Sequence, residues 1–314
     1  MKTNTTSKPI PTRAQGLILV VLATVFWSTS GIFINLTING SGITAVGLAF
    51  YRDMFTFLSL LVGIAIIRPK LLRIKRGDIP WFLAMGALSI GSFHVLWNTS
   101  VMLIGASLAT VIQCNAPIVV TVMAWLLFGE ALTRRKIIAI ILSIVGTILT
   151  SGINGLGGVQ ITTLGILIAL ASAIAYGSFS LFGKKLSGTY NPWTILLYVF
   201  GFATLTLLPF QFGQPAPWPL PTNVLLYFAS LVFLTTIAGF GFYTTGLGYL
   251  QASIASITST SEVAFAGILA YIVLGERLSF LQIIGSLLIV GGVIIISVPN
   301  RKNVSDYIIS DEHG

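Results

Sequence analysis

The sequence predicts an all-α, polytopic membrane protein: ten transmembrane helices arranged as two inverted five-helix repeats. Three observations carry this reading. Only 8% of the 314 residues are charged, and the mean hydropathy is +0.96. No Asp, Glu, Lys or Arg occurs from Ile79 to Gly129, from Ile137 to Gly183 or from Leu186 to Ser261. The second half of the chain also repeats the motifs of the first. A hydrocarbon core about 30 Å thick needs a helix of about 20 mostly apolar residues, and these stretches supply such lengths repeatedly. A membrane strand would alternate polar and apolar positions over about 10 residues. These runs are apolar on all sides, so only helices can satisfy their backbone in lipid.

The elements follow in order. A polar segment, 1–15, precedes a first span at Gly16–Ile38. That run is longer than a signal-peptide core and has no small-x-small cleavage site, so it is expected to remain as a span. The next spans are expected at Ile43–Ile67, Ile79–Met102, Ser107–Leu127 and Ile137–Ser151. The third and fourth are joined only by Leu103–Ala106. The second half gives Leu164–Phe182, Pro192–Pro209, Val224–Gly246, Ala252–Leu274 and Phe280–Val298. Two repeats therefore occupy 16–152 and 164–298, and a polar tail fills 299–314. The segment Pro215–Pro221 reads PAPWPLP, a stiff connector between the seventh and eighth spans. The single cysteine, Cys114, lies within a span, so neither an intramolecular disulfide nor a cysteine metal site is expected.

Orientation follows from the positive charges. With the N-terminus inside, the inner segments carry Lys2, Lys8, Arg13, Arg68, Lys70, Arg73, Lys75, Arg76, Arg134, Arg135, Lys136, Lys184, Lys185, Arg301 and Lys302. Outside there is only Arg277, and Arg52 lies within a span. Both termini are thus expected in the cytoplasm. The formal charge of +9 needs no nucleic acid, because these residues are scattered over loops that meet anionic lipid headgroups.

The duplication is direct. GASLATVIQCNAPIVVTVMAWLLFGEAL in the first half matches QASIASITSTSEVAFAGILAYIVLGERL in the second, with Gly129-Glu130 on Gly275-Glu276 at an offset of 146. Gly146 falls on Gly292 at the same offset. GLILVVLATVFW matches GILIALASAIAY at 149, so a small insertion separates the registers. Five spans per copy force the second copy to insert upside down. The charges agree: the loop after Glu130 has Arg134, Arg135 and Lys136, and its counterpart has only Arg277. Inverted repeats can exchange conformations about a two-fold axis in the membrane plane, opening a central site to one side and then the other.

The five-plus-five arrangement, the paired Gly-Glu motifs before the fifth and tenth spans, and Pro117 upstream of Gly129-Glu130 resemble the EamA-type drug/metabolite transporter superfamily over nearly the whole chain. Arg52 matches an arginine common in the family's second span. Glu262 matches a glutamate that often precedes proline in the ninth, although here Val263 follows and no proline breaks the helix. The resemblance implies secondary transport of a small metabolite, often export of amino acids, nucleobases or related compounds. Glu130 and Glu276 precede helices and are expected to cap or tie adjacent loops, and Gly129, Gly275 and Pro117 are likewise expected to be structural.

Charges inside the membrane are the first site candidates. Arg52, Asp53 and Glu262 each cost about 2.5–3.5 kcal/mol at a span centre, so they are expected to face protein or water. Arg52 and Asp53 lie about 100° apart around their helix and are expected to find partners on other helices. Either Arg52 is neutralised structurally, by a carboxylate or by carbonyls at a helix end, or Glu262 or Asp53 takes up a proton or contacts an amino group of the substrate. His94, Trp97 and Asn98 share a face of the third span and either bind solute or supply interhelical hydrogen bonds. Gln113 and Pro117 share a face of the fourth, where Pro117 frees the carbonyl of Gln113. Ser259 and Glu262 form the matching patch in the second repeat. Trp27 and Tyr176 are equivalent in the two repeats and either flank a cavity or pack. Tyr243 lies among glycines in GFGFYTTGLG.

No HExxH, GxSxG or GxxxxGK[ST] occurs, so no enzyme, cofactor or metal is expected. Without an ATP-binding segment, active transport must use an ion or substrate gradient. The expected function is alternating-access transport of a small polar metabolite across the inner membrane, with export of an amino acid or related compound first. Efflux or uptake of drug-like or nucleobase-like solutes is the alternative within the class. An intramembrane enzyme or lipid-handling protein is the alternative outside it. The expected partners are a small-molecule substrate and membrane lipid, for a monomer or homodimer.

Overall fold

The computed structural model describes residues 13–104, 112–113, 115–150, 162–212, 214, 217–274 and 279–298. Among these there are no strands, and apart from short 3-10 turns the helical runs group into ten helices, the first broken by a turn at Thr29 and the ninth by one at Thr260. They are α1 (Arg13–Ser41), α2 (Ala45–Ile67), α3 (79–104), α4 (Ala116–Phe128), α5 (Arg134–Thr150), α6 (Thr163–Ser187), α7 (Pro192–Leu207), α8 (Thr222–Tyr249), α9 (252–274) and α10 (Phe280–Ser297). Seven segments, in α1, α2, α3, α6, α7, α8 and α10, have the length and hydropathy of a membrane crossing. As described, α4 is apolar but has 13 residues, α5 has 17, and α9 is interrupted at Thr260. The chain is a multi-pass helical membrane protein.

Helix ends follow local chemistry. Thr44 accepts the N–H of Gly47 (3.0 Å) at the start of α2, Thr162 that of Gly165 (3.1 Å) before α6, and Asn191 that of Trp193 (3.1 Å) before α7. Ser279 and Gln282 form a reciprocal capping box at α10. Gly129 ends α4 at φ 66°, a left-handed conformation that favours glycine. The N–H of Glu130 then reaches back to the carbonyl of Ala124 (3.2 Å), which is why Gly precedes Glu in this motif.

Packing displays the two-fold relation. Helix α1 packs on α8 as α6 packs on α3, and α1 on α9 as α6 on α4. The pairs α2–α7, α4–α9 and α5–α10 map onto themselves when each helix is exchanged for the one five later. Small residues permit the closest approaches. A Cβ on Gly16 would stand 2.9 Å from Leu250 Cγ and 3.1 Å from the Gly246 carbonyl, while one on its counterpart Gly165 would collide with Ile104. At α5–α10, a Cβ on Gly146 would lie 2.6 Å from the Gly285 carbonyl.

Two irregularities have no signal in the hydropathy. Residues Met85–Gly91 of α3 and Leu231–Ala238 of α8 are π-helical, at starts 146 residues apart. The hydroxyls of Ser92 and Thr236 donate to carbonyls five residues back, Ala87 (2.7 Å) and Leu231 (2.8 Å), as a widened turn allows. Helix α9 turns at Thr260 without any proline. There the hydroxyls of Ser259, Thr260 and Ser261 fold back onto the carbonyls of Ser256, Ile257 and Thr258, and such local bonds compete with a regular helix. The chain before α4 does likewise: it is helical at 112–113, turns at Asn115 and resumes at Ala116.

Candidate functional site

The start of α4 and the break in α9 line a cavity of about 220 Å³ between the repeats. Gln113, Ala116 and Pro117 line it from the α4 side, and Ser259, Thr260, Glu262, Val263 and Ala266 from α9. Trp97 of α3 and Tyr176 of α6 complete the wall. Glu262 makes no hydrogen bond or ion pair among the described residues, and no basic side chain is among the described lining. The Gln113 Oε1 is buried without a hydrogen-bond partner. The Ser259 hydroxyl is already engaged by its own helix. A carboxyl in such a place must be neutralised by a proton or by a cationic group that enters, since an isolated charge costs about 2.5–3.5 kcal/mol at membrane depth.

His94 is turned away from this wall, although it lies one turn before Trp97. It joins Arg52 and Asp53 in a buried triad. Arg52 Nη2 lies 2.5 Å from His94 Nε2. A guanidinium only donates, so Nε2 accepts and the proton of the neutral imidazole sits on Nδ1. Nδ1 in turn faces Asp53 Oδ2 at 3.3 Å, and Asp53 Oδ1 lies 3.7 Å from Arg52 Nε. The neighbours on α2 therefore do approach each other, and both also meet a partner on α3: long side chains close the 100° gap that backbone geometry opens. The carboxylate oxygens make no well-aligned hydrogen bond, so the triad is held by charge at short range. No Asp, Glu, Lys, Arg or His occurs from Leu186 to Ser261, the stretch that holds the corresponding helices of the second repeat, so the triad has no symmetric twin.

Trp27 and Tyr243 are in a packed cluster and not in the cavity wall. Their rings lie 5.1 Å apart, the Phe240 ring lies 4.9 Å from that of Trp27 at a tilt of 59°, and the Tyr243 hydroxyl bonds Ser180 at 2.6 Å. Trp27 is equivalent to Tyr176, and Tyr243 to Trp97 at an offset of 146. One aromatic pair is thus closed in the core, and its symmetry mate lines the open cavity. Glu130 reaches further than an adjacent loop. Buried, it pairs with Lys136 (3.1 Å), accepts the N–H of Ala252 (2.8 Å) and accepts the Ser253 hydroxyl, so it caps the start of α9 in the other repeat. Gly275, Glu276, Cys114 and Arg277 lie outside the described residues, as does the side chain of Asn98.

The EamA-like transporter family model matches residues 14–152 and 163–298. The chain belongs to the EamA-like transporter family. Each copy of the family unit covers one set of five helices. An uncharacterized transporter of Archaeoglobus fulgidus is 25% identical over 89% of this chain and 97% of its own length. The uncharacterized inner membrane transporter YicL of Salmonella typhimurium is 25% identical over 92% and 97%. A probable terminal-alkyne amino-acid exporter of Streptantibioticus cattleyicolor is 26% identical over 91% and 93%. A protein of known crystal structure shares the fold with a TM-score of 0.76 at 18% identity, covering 90% of this chain and 96% of its own. As an EamA-family member the chain is a transporter. Of the binding residues expected from the sequence, Trp97, Gln113, Tyr176, Ser259 and Glu262 line this cavity, and Pro117, expected to be structural, lines it with them.

Proposed function

We propose that this EamA-family transporter exports a small amine-bearing metabolite, an amino acid or close relative, by alternating access and without covalent chemistry. The observation that carries this is Glu262: a carboxyl in a cavity between the repeats, with no basic side chain in the described wall. A solute ammonium is its natural counter-charge, and Gln113 offers an unengaged acceptor beside it. Trp97 and Tyr176 present aromatic faces, which suit a cation or an apolar side chain. Two relations support the reading. The aromatic pairs are equivalent but unlike in setting, as expected of one conformer of an alternating cycle. One relative is also named a probable amino-acid exporter. In this reading the N- and C-termini are cytoplasmic, as the basic loops favour.

The test compares metabolites in the medium of cells expressing the wild type and Glu262→Gln at equal protein levels. An amine-bearing compound class enriched outside by the wild type alone supports the proposal. Equal enrichment by both removes Glu262 from it, and no enrichment by either refutes export.

A further inference from the structure

The end of the bundle that carries the basic loops holds a second, larger hollow of about 520 Å³. The first turn of α1, the start of α5, the α8–α9 connection and the last turn of α10 enclose it. Three guanidinium groups line it, those of Arg13, Arg134 and Arg135, and no acidic residue is among its described lining. Lys136 also lines it, but its ammonium is engaged by Glu130.

Part of this charge has a structural use. Arg13 Nη2 donates to the Ile296 carbonyl (2.6 Å) and Arg135 Nη1 to that of Val298 (3.0 Å), so both hold the C-terminal end of α10. That use leaves two features unexplained. Arg13 Nε is buried with no hydrogen-bond partner. Arg134, exposed at the same hollow, makes no hydrogen bond or ion pair among the described residues and is free to meet a ligand there. Helix α5 begins at Arg134 and adds the positive end of its dipole. The rest of the wall is largely apolar and includes Leu250, Ile254 and Ile296.

Guanidinium forks match phosphate oxygens in geometry as well as charge. Basic pockets between membrane helices, at the headgroup level, take anionic lipid heads. We propose that this hollow is a phosphate-binding site, filled by the phosphodiester head of an anionic phospholipid or by a soluble phosphate. The apolar wall suits the glycerol and first acyl carbons of a lipid. The site is separate from the cavity around Glu262 and does not depend on the identity of the transported solute.

The test uses the full-length protein in detergent at fixed ionic strength and reads its melting temperature. Short-chain phosphatidylglycerol, the matching phosphatidylcholine and inorganic phosphate are titrated separately. Phosphatidylglycerol should raise Tm saturably and phosphatidylcholine should not. Arg134→Gln should need about tenfold more phosphatidylglycerol for the same shift, since one charge-assisted contact is lost. Arg134 has no partner to lose among the described residues, so this variant keeps the fold's own contacts. A shift reproduced by inorganic phosphate assigns the site to a soluble anion, and a shift seen only with the lipid assigns it to a headgroup. The proposal is overturned if the two lipids act alike, or if Arg134→Gln titrates as the wild type does.

Discussion

Replacing Glu130 with alanine tests whether the two repeats are joined as described. In the native protein its carboxylate meets Lys136 Nζ at 3.1 Å, the Ala252 N–H at 2.8 Å and the Ser253 hydroxyl. All of these groups are buried: Glu130 is 7% exposed, Lys136 3%, and Ala252 and Ser253 0%. Water therefore cannot replace what the substitution removes. Breaking a buried ion pair from one side costs about 3–5 kcal/mol, and losing a helix cap about 1 kcal/mol. The two overlap, so about 4 kcal/mol is expected for Glu130→Ala, which lowers Tm by about 8 °C in a chain of this size. Adding Lys136→Met removes the stranded ammonium and should recover roughly half of that loss. The assay is loss of the monodisperse chromatographic peak after heating, which needs no substrate. A single variant melting within 2 °C of wild type, about 1 kcal/mol, would show that Glu130 is not the link described. A double variant less stable than the single one would show that Lys136 is not its dependent partner.

Two further predictions follow from the buried charges and the helix contacts. Asp53→Asn leaves Arg52 buried without a carboxylate and should destabilise by about 3–5 kcal/mol. His94→Gln keeps an acceptor for Arg52 and should cost only about 1–2 kcal/mol, so the reverse order of melting temperatures would contradict the tautomer assigned to His94. Gly146→Ala places a methyl 2.6 Å from the Gly285 carbonyl and 2.7 Å from Ile289 Cγ1, and should cost about 1–3 kcal/mol in the same assay. Gly291→Ala, with nothing within 4 Å, is the control and should be neutral or slightly stabilising.

The helical architecture was legible because burial in lipid leaves few choices. Charge-free stretches bound the spans, and Gly129-Glu130 repeated at Gly275-Glu276 reveals the duplication before any contact is known. The cavity residues were legible for a related reason: an unpaired Glu262 or Gln113 among apolar residues needs an explanation. What could not be read were relations that depend on side-chain reach and on the partner helix. Arg52 and Asp53 point apart along α2, yet their side chains converge on His94. Trp27 and Tyr176 are equivalent by sequence, yet one is packed on Tyr243 and the other borders a cavity, because a pseudo-symmetric protein in one conformer treats its halves differently. The reach of Glu130 is hidden for the same reason, since nothing in its own loop points to Ala252, 122 residues away. The break at Thr260 arises from three adjacent hydroxyls, a weaker signal than the proline that the ninth span lacks.

The paired π-helical stretches of α3 and α8 carry a record of descent. Widened turns are rare, and these begin 146 residues apart in segments whose sequences have otherwise diverged, MGALSIG in one and LVFLTTIA in the other. Two independent origins at matching positions are a less economical account than one origin in a single-copy ancestor, before the halves were fused. On that account the irregularity is older than the division of labour between the halves. The charged triad of Arg52, Asp53 and His94, by contrast, exists in one half only, so the two halves share their helix irregularity but not their buried charge.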